Sequence, residues 1–244
     1  MPNKIASSKK NLVTNLKIIG EINGTDLRFI REMAGSDVEG HSTSGNLSVL
    51  DLSEARFVAG GDYYYYYYSY VVYENVYRHT RNDIIGECAF YGCSSLTSIN
   101  IPSSVTSIGE RAFLGCSSLT SVNIPSSVTS IGGSAFSGCS GLRSIYVYAE
   151  TPPSISANAF NGCDLKNCTL YVPRGTYDAY WLLDWGVFEN IVEFDATNIR
   201  NIVAEPEVQE NARYAVNGQR LPAPVKGINL VKYNNGRVKK EIVK

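Results

Sequence analysis

Apolar residues recur along the middle of this chain in a short repeated phrase. Leu96, Ile99 and Ile101 stand as L-x-x-I-x-I, and the spacing returns as Leu119, Val122, Ile124 and again as Leu142, Ile145, Val147. The last two apolar positions of each phrase alternate with polar ones, which is the period of a short strand with one buried face. Pro102 and Pro125 follow, and a residue that cannot donate to a ladder ends such a strand. Each phrase then passes through Ser-Ser-Val to Ile-Gly. An Ala-Phe pair, Ala112-Phe113 in the second copy, closes the coil on its far side.

The phrase belongs to a longer repeat. Residues 85–107 read IGECAFYGCSSLTSINIPSSVTS and residues 108–130 read IGERAFLGCSSLTSVNIPSSVTS, identical at 20 of 23 positions. A third copy begins IGGSAFSGCSGLRSIYV at 131 and diverges at Tyr148. A degenerate fourth is ANAFNGC at 157–163, followed by LYVP at 170–173. A period of 23 falls in the range of leucine-rich repeats and is too long for a heptad. One such coil cannot bury its own apolar row, but stacked coils can, each strand pairing in parallel with the next at about 4.8 Å. The fold class expected is therefore an α/β solenoid, a right-handed coil of short parallel strands with its apolar residues in vertical ladders.

The pattern I-P-x-S-V-x-x-I-G-x-x-A-F-x-x-C-x-x-L resembles the Treponema-type leucine-rich repeat of BspA-like bacterial surface proteins, most closely over 85–147. INGTDLRFIREMAG followed by LDLS resembles the N-terminal cap of Bacteroidetes members of that family. The segment from Gly175 to Glu193 resembles the family's closing segment. The resemblance implies a secreted or surface-attached binding protein whose partners are extracellular proteins or glycoproteins, matrix and plasma proteins among them.

Earlier phrases read the same way. Val13, Leu16 and Ile18 fit the strand pattern, as do Leu47, Leu50 and Leu52. Between them Asn23-Gly24 suggests a turn, Thr25 a helix cap with Asp26 in the first turn, and Gly35 a stop. Leu27, Ile30, Met33 and Ala34 share a face of that helix. At the other end Thr176 reads as the cap of a short helix, with Trp181, Leu182, Trp185 and Phe188 as a lid over the last coil. From about residue 197 the repeat is gone. Asn217-Gly218 and Asn235-Gly236 mark turns between strands of a small antiparallel β module. Its wording resembles the short β tails of Bacteroidetes secreted proteins, some of which are sorting signals; a plain packing module is the other reading. The domains expected are 1–84 (cap, first repeats and an insertion), 85–196 (repeats and closing cap) and 197–244.

The insertion is unusual. Residues 63–68 are six consecutive tyrosines, followed by Tyr70, Tyr73 and Tyr77. Neither helix nor strand can bury six adjacent side chains on one face. Either half of them pack under the coils, or the exposed half forms an aromatic binding patch, and both can hold together. Tyr63, Tyr64, Tyr65, Tyr66, Tyr67, Tyr68 and Tyr70 are accordingly candidate contacts, for a ligand or for self-association. On the strands the outward positions are mostly small and polar: Thr97, Ser98, Asn100; Thr120, Ser121, Asn123; Arg143, Ser144, Tyr146, with Val49 and Asp51 continuing the row. Asn100, Asn123, Arg143 and Tyr146 are the candidates there, Arg143 and Tyr146 being the strong hot-spot types.

Charge and composition narrow the function. The 22 basic and 23 acidic residues give a net charge of −1, which argues against a general nucleic-acid binder. No run of 18 apolar residues provides a membrane span, and the polar start of the chain lacks an apolar leader core. Cys93, Cys116 and Cys139 are spaced at the repeat period, unlike zinc or redox motifs, so they read as stacked buried thiols; a Cys163–Cys168 disulfide stays open. No metal, cofactor or catalytic set is expected. His41 and His79 leave little for a triad, and no nucleophile elbow, phosphate loop or dinucleotide fingerprint occurs. Three readings remain: a non-enzymatic surface binding protein, a structural spacer or self-assembly module, and a glycan-acting enzyme built on Asp62, Glu74 and His79, which requires a deep acidic cleft.

Overall fold

The computed structural model describes residues 5, 6, 8–195, 210–215, 220–221, 223, 226–233 and 238–243. It divides into two compact units, Met1–Ala196 and Thr197–Lys244.

In the first unit strand β1 (Asn15–Ile22) leads into helix α1 (Gly24–Met33) and returns as β2 (Val49–Phe57). A hairpin follows, β3 (Tyr65–Ser69) and β4 (Glu74–Arg78). Each later coil has two strands. These are β5 (Ile84–Ile85), β6 (Ser98–Asn100), β7 (Ser107–Ile108), β8 (Ser121–Ile124), β9 (Ser130–Ile131), β10 (Ser144–Val147), β11 (Ser154–Ile155) and β12 (Thr169–Pro173). Helix α2 (Tyr177–Trp181) and β13 (Asn190–Phe194) close the stack.

The strands sort into two parallel walls. One is a seven-stranded sheet, β1-β2-β6-β8-β10-β12-β13; the other is four-stranded, β11-β9-β7-β5. The register is the sequence repeat itself: Ile99 pairs with Val122, Val122 with Ile145, Ile145 with Leu170. The second wall, with Ile85, Ile108, Ile131 and Ile155 in line, was not legible in the pattern, because two-residue strands show no alternation. A third set of bonds runs along the Ala-Phe corner, where the Phe90 N–H donates to Ala112 and the Phe113 N–H to Ala135. Gly109 permits the close approach of neighbouring coils, since a Cβ there would sit 2.7 Å from the Glu87 nitrogen. Gly115 turns at a φ of +75°, which glycine adopts without strain.

The apolar ladders fill the space between the walls. Phe90, Phe113, Phe136 and Phe160 stack face to face at 5.1, 5.0 and 5.3 Å. All six cysteines are free. The thiols of Cys116, Cys139 and Cys163 each donate to a phenylalanine carbonyl of the preceding coil at 3.1–3.2 Å. They are column elements of the core, and Cys163 forms no bridge to Cys168.

The helix ends differ from expectation. Asn23, not Thr25, caps α1: its side chain accepts the Asp26 N–H while Asp26 accepts the Asn23 N–H. Thr25 is instead committed to Asp62, whose backbone N–H it accepts at 2.9 Å. Thr176 does not cap α2 either, because its hydroxyl donates to the Pro173 carbonyl. The Glu193 carboxylate takes that place, accepting the Gly175 and Tyr177 N–H groups at 2.9 Å each. The lid is half of the one expected. Trp185 and Phe188 are buried with Tyr180, whereas Trp181 and Leu182 face solvent.

In the second unit β14 (Glu210–Ala215), β15 (Arg220–Leu221), β16 (Gly227–Tyr233) and β17 (Val238–Val243) form an antiparallel sheet in the order β15-β14-β16-β17. The Asn217-Gly218 and Asn235-Gly236 turns lie outside the described residues.

Candidate functional site

Two surfaces carry the predicted site residues. The first is the outward face of the seven-stranded sheet. Register alone aligns one row as Asn15, Val49, Ser98, Ser121, Ser144, Thr169 and Asn190, and a second as Lys17, Asp51, Asn100, Asn123, Tyr146, Tyr171 and Val192. The second row changes character along the stack. At its start Lys17 bridges Asp51 (3.5 Å) and Glu54 (2.7 Å). Burial pushes the Asp51 carboxyl up, but hydrogen bonds from Ser53 and Asn100 and the Lys17 charge outweigh it, and the net shift is downward. In the middle the amide of Asn123 donates to Asn100 at 2.8 Å, and Asn100 to Asp51 at 3.4 Å. This is a chain of side-chain amides with one coil feeding the next.

At the far end the row becomes aromatic. Tyr146 and Tyr171 stack at 4.4 Å with planes 7° apart, and Phe194 meets Tyr146 and Tyr148 edge-on at 5.9 and 5.5 Å. All four are partly exposed, so they form an aromatic patch with hydroxyl rims. Sequence reasoning found Tyr146 and missed Tyr148, Tyr171 and Phe194. The available signal was the match of LYVP at 170–173 to the IYVY of 145–148.

Other outward residues turn out to be structural. The hydroxyls of Thr97 and Thr120 donate to the backbone carbonyls of Ser48 and Thr97, one coil back. Arg143 is exposed, but its guanidinium folds back onto the Ser140 and Leu142 carbonyls.

The second surface is the tyrosine ribbon, in which β3 pairs antiparallel with β4. The run divides unevenly, with two adjacent rings turned inward. Tyr64 is buried with its hydroxyl on the Glu87 carbonyl at 2.7 Å, and Tyr65 is buried against Tyr91 at 5.4 Å. The guanidinium of Arg31 lies 5.0 Å from the Tyr65 ring. Tyr67, half-buried, accepts a hydrogen bond from Arg78 at 3.0 Å. Tyr64 and Tyr65 therefore belong to the core. Burial pushes the Tyr65 hydroxyl up to about 12.

The opposite side of the ribbon is open. Tyr63, Tyr66 and Tyr77 cluster at 4.8–5.6 Å, with Arg28 over Tyr63 and the Tyr66 hydroxyl on Glu39. Tyr68 and Tyr70 meet edge-on at 5.1 Å and are exposed.

Next to the ribbon lies a cleft of about 480 Å³ that includes His79, Arg81, Glu87 and Glu110. Asp62 and Glu74 do not line it. Its two carboxylates are paired, Glu87 with Arg78 at 2.7 Å and Glu110 with Arg111 at 3.1 Å. That is not the acidic cleft the enzyme reading requires.

Together the stacked parallel strands and the 23-residue register define a leucine-rich-repeat solenoid. Residues 62–175 match the family described as "BspA type Leucine rich repeat region", in six copies. A similar solved structure is the crystal structure of the T. pallidum leucine rich repeat protein TpLRR. It is 24% identical over 46% of this chain and 62% of its own, with a TM-score of 0.28. The chain thus spans less than two thirds of that protein's length. No curated protein matches.

Proposed function

We propose that this chain is a non-enzymatic binding protein, secreted or held at the cell surface, that engages an extracellular protein or glycoprotein on the outward face of its seven-stranded sheet. The observation that carries the reading is the second row of that face. Its amides and aromatic rings are aligned by backbone register across successive coils, and it ends in the patch of Tyr146, Tyr148, Tyr171 and Phe194. A surface with a rigid aromatic anchor beside small polar groups suits a partner held by few strong contacts. The BspA-type repeat match supports the binding role. Among the described residues no helix is long and apolar enough to cross a membrane.

The test is biolayer interferometry of the purified chain against immobilised matrix and plasma glycoproteins, native and deglycosylated. The double variant Tyr146→Ser/Tyr171→Ser is expected to weaken any interaction found at least tenfold, with Ser121→Ala as control. Binding that survives the double variant unchanged, or the absence of binding across the panel, overturns the proposal.

A further inference from the structure

The tyrosine ribbon has an outer edge that the fold leaves unused. It consists of two strands only, and such ribbons gain stability from a third strand or a covering element. The backbone of β3 is covered at one point, where the Tyr66 N–H donates to the Val38 carbonyl. No strand pairs with the outer edge of β4, Glu74–Arg78, among the described residues. Unpaired edges of this kind template pairing with another chain.

The hairpin tip makes the same point chemically. Tyr70, Val71, Val72 and Tyr73 are 79, 88, 54 and 76% exposed. Turns of this kind ordinarily use Gly, Asn, Asp or Ser, which favour water and tolerate positive φ. Here four large apolar residues take the turn, and Tyr73 sits at a φ of +55°, unfavourable for an aromatic side chain. Two adjacent valines so exposed mark a contact surface.

The sequence of β4, Glu-Asn-Val-Tyr-Arg, specifies a partner. If β4 pairs antiparallel with its own copy about Val76, Glu74 falls opposite Arg78 of the second copy, and Asn75 opposite Tyr77. Both ends of the interface then hold opposite charges, where cross-strand pairs of opposite charge are favourable. The register also carries the tip outward. Val71–Tyr73 of one copy comes alongside residues 79–81 of the other, at the rim of the cleft that contains His79, Thr80 and Arg81. The open aromatic side becomes continuous, with Tyr66, Tyr68 and Tyr77 of both copies on one face.

We propose that two copies of this chain associate through β4 about a two-fold axis at Val76, joining their ribbons into one four-stranded antiparallel sheet with each tip over the other's cleft. The contact is isologous and closed, so it stops at two chains. Arg78 keeps its bond to Glu87, and Glu74 of the second copy adds a further carboxylate. This association is independent of ligand binding on the solenoid sheet, and Tyr146→Ser/Tyr171→Ser leaves it intact.

Size-exclusion chromatography with light scattering on the full chain, from 1 to 200 μM, tests it. The expected mass is that of two chains at the upper concentrations. Glu74→Arg sets like charges opposite one another and is expected to give a monomer throughout. Arg78→Glu does the same. A one-to-one mixture of the two variants restores complementary pairs at both ends and is expected to recover the dimer. Val71→Ser/Val72→Ser changes only exposed side chains, so it reports on the tip without risk to folding, and is expected to raise the dissociation constant at least tenfold. Val76→Cys, on the axis, is expected to give a disulfide-linked dimer under mild oxidation, because paired residues across strands lie within bridging distance. A monomer at every concentration, a mass above two chains, a dimer indifferent to Glu74→Arg and to the tip variant, or failure of Val76→Cys to cross-link overturns the proposal.

Discussion

Arg31 offers the sharpest test of how the N-terminal cap is joined to the repeats. Its side chain is fully buried on α1, and its two terminal nitrogens donate to Cys88 O (2.7 Å), Ala89 O (3.1 Å), Ser36 Oγ (3.2 Å), Asp37 O (2.8 Å) and Tyr91 O (3.2 Å). One guanidinium thus ties the helix, the loop after it and the first 23-residue coil together. Arg31→Met keeps an unbranched chain of similar length and removes the charge and every bond. Hydrogen bonds to a charged group are worth about 1.5–3 kcal/mol each, but they do not add here. Cys88 O also accepts from Tyr91 N, and Asp37 O from Gly40 N, so those two acceptors keep a partner. The expected loss is about 3–5 kcal/mol, because the Ala89 and Tyr91 carbonyls and the Ser36 hydroxyl lose the guanidinium, at about 1–3 kcal/mol for each buried group left unpaired. At an m-value of about 2 kcal/mol/M it lowers the urea midpoint by about 2 M. Arg31→Lys is expected to fall between, since an ammonium keeps the charge but lacks the planar fork. The assay is urea unfolding followed by circular dichroism and by fluorescence of Trp181 and Trp185, which report the opposite end of the stack. A shift under about 1 kcal/mol for Arg31→Met would refute the reasoning, because it would mean that apolar contact alone holds the cap.

Three further outcomes are expected. Phe113→Ala, which empties the middle of the phenylalanine column between Phe90 and Phe136, should cost about 3–5 kcal/mol in the same urea assay; less than about 1.5 would mean the rings do not bear on one another. Glu193→Ala removes the acceptor for two N–H groups at the start of α2 and should cost about 1 kcal/mol, read from Trp185 fluorescence on heating, while Thr176→Ala should leave those two bonds in place. Burial pushes the Cys93 thiol up to about 11 and that of Cys116 well above its usual value near 9. The native state therefore holds these protons after the unfolded chain has lost them. Stability from this source is whole below about pH 9 and falls by about 1.4 kcal/mol per pH unit per thiol above it, and flat urea midpoints from pH 8 to 10.5 would contradict the burial of the thiols.

Much of the solenoid is legible in the sequence, for a physical reason. A 23-residue phrase repeated almost without change has one economical way to bury its apolar row, and the register of Ile99, Val122 and Ile145 follows from that. The helix ends were less legible. Thr25 and Thr176 are good caps by residue type, yet each hydroxyl is claimed by a group that local sequence does not reveal, Asp62 in one case and the Pro173 carbonyl in the other. The same limit applied to the lid, where Trp181 and Trp185 are equivalent by composition and opposite in exposure. On the candidate surfaces, alternation alone does not divide the tyrosine run: the adjacent Tyr64 and Tyr65 are both buried, because Tyr64 lies just before β3 and is placed by the Glu87 carbonyl, which local sequence does not reveal. The aromatic patch was seen only as Tyr146, because Tyr171 and Phe194 belong to degenerate copies that align with it only through strand pairing.

The near-identity of residues 85–107 and 108–130 makes neighbouring turns interchangeable parts. Excising one, or copying it, leaves a joint in which every ladder still meets its own kind, with both terminal caps untouched. The molecule would shorten or lengthen by one layer of about 4.8 Å. Recombination between the duplicated stretches can therefore adjust how far the outward face reaches in whole steps, without passing through a misfit intermediate.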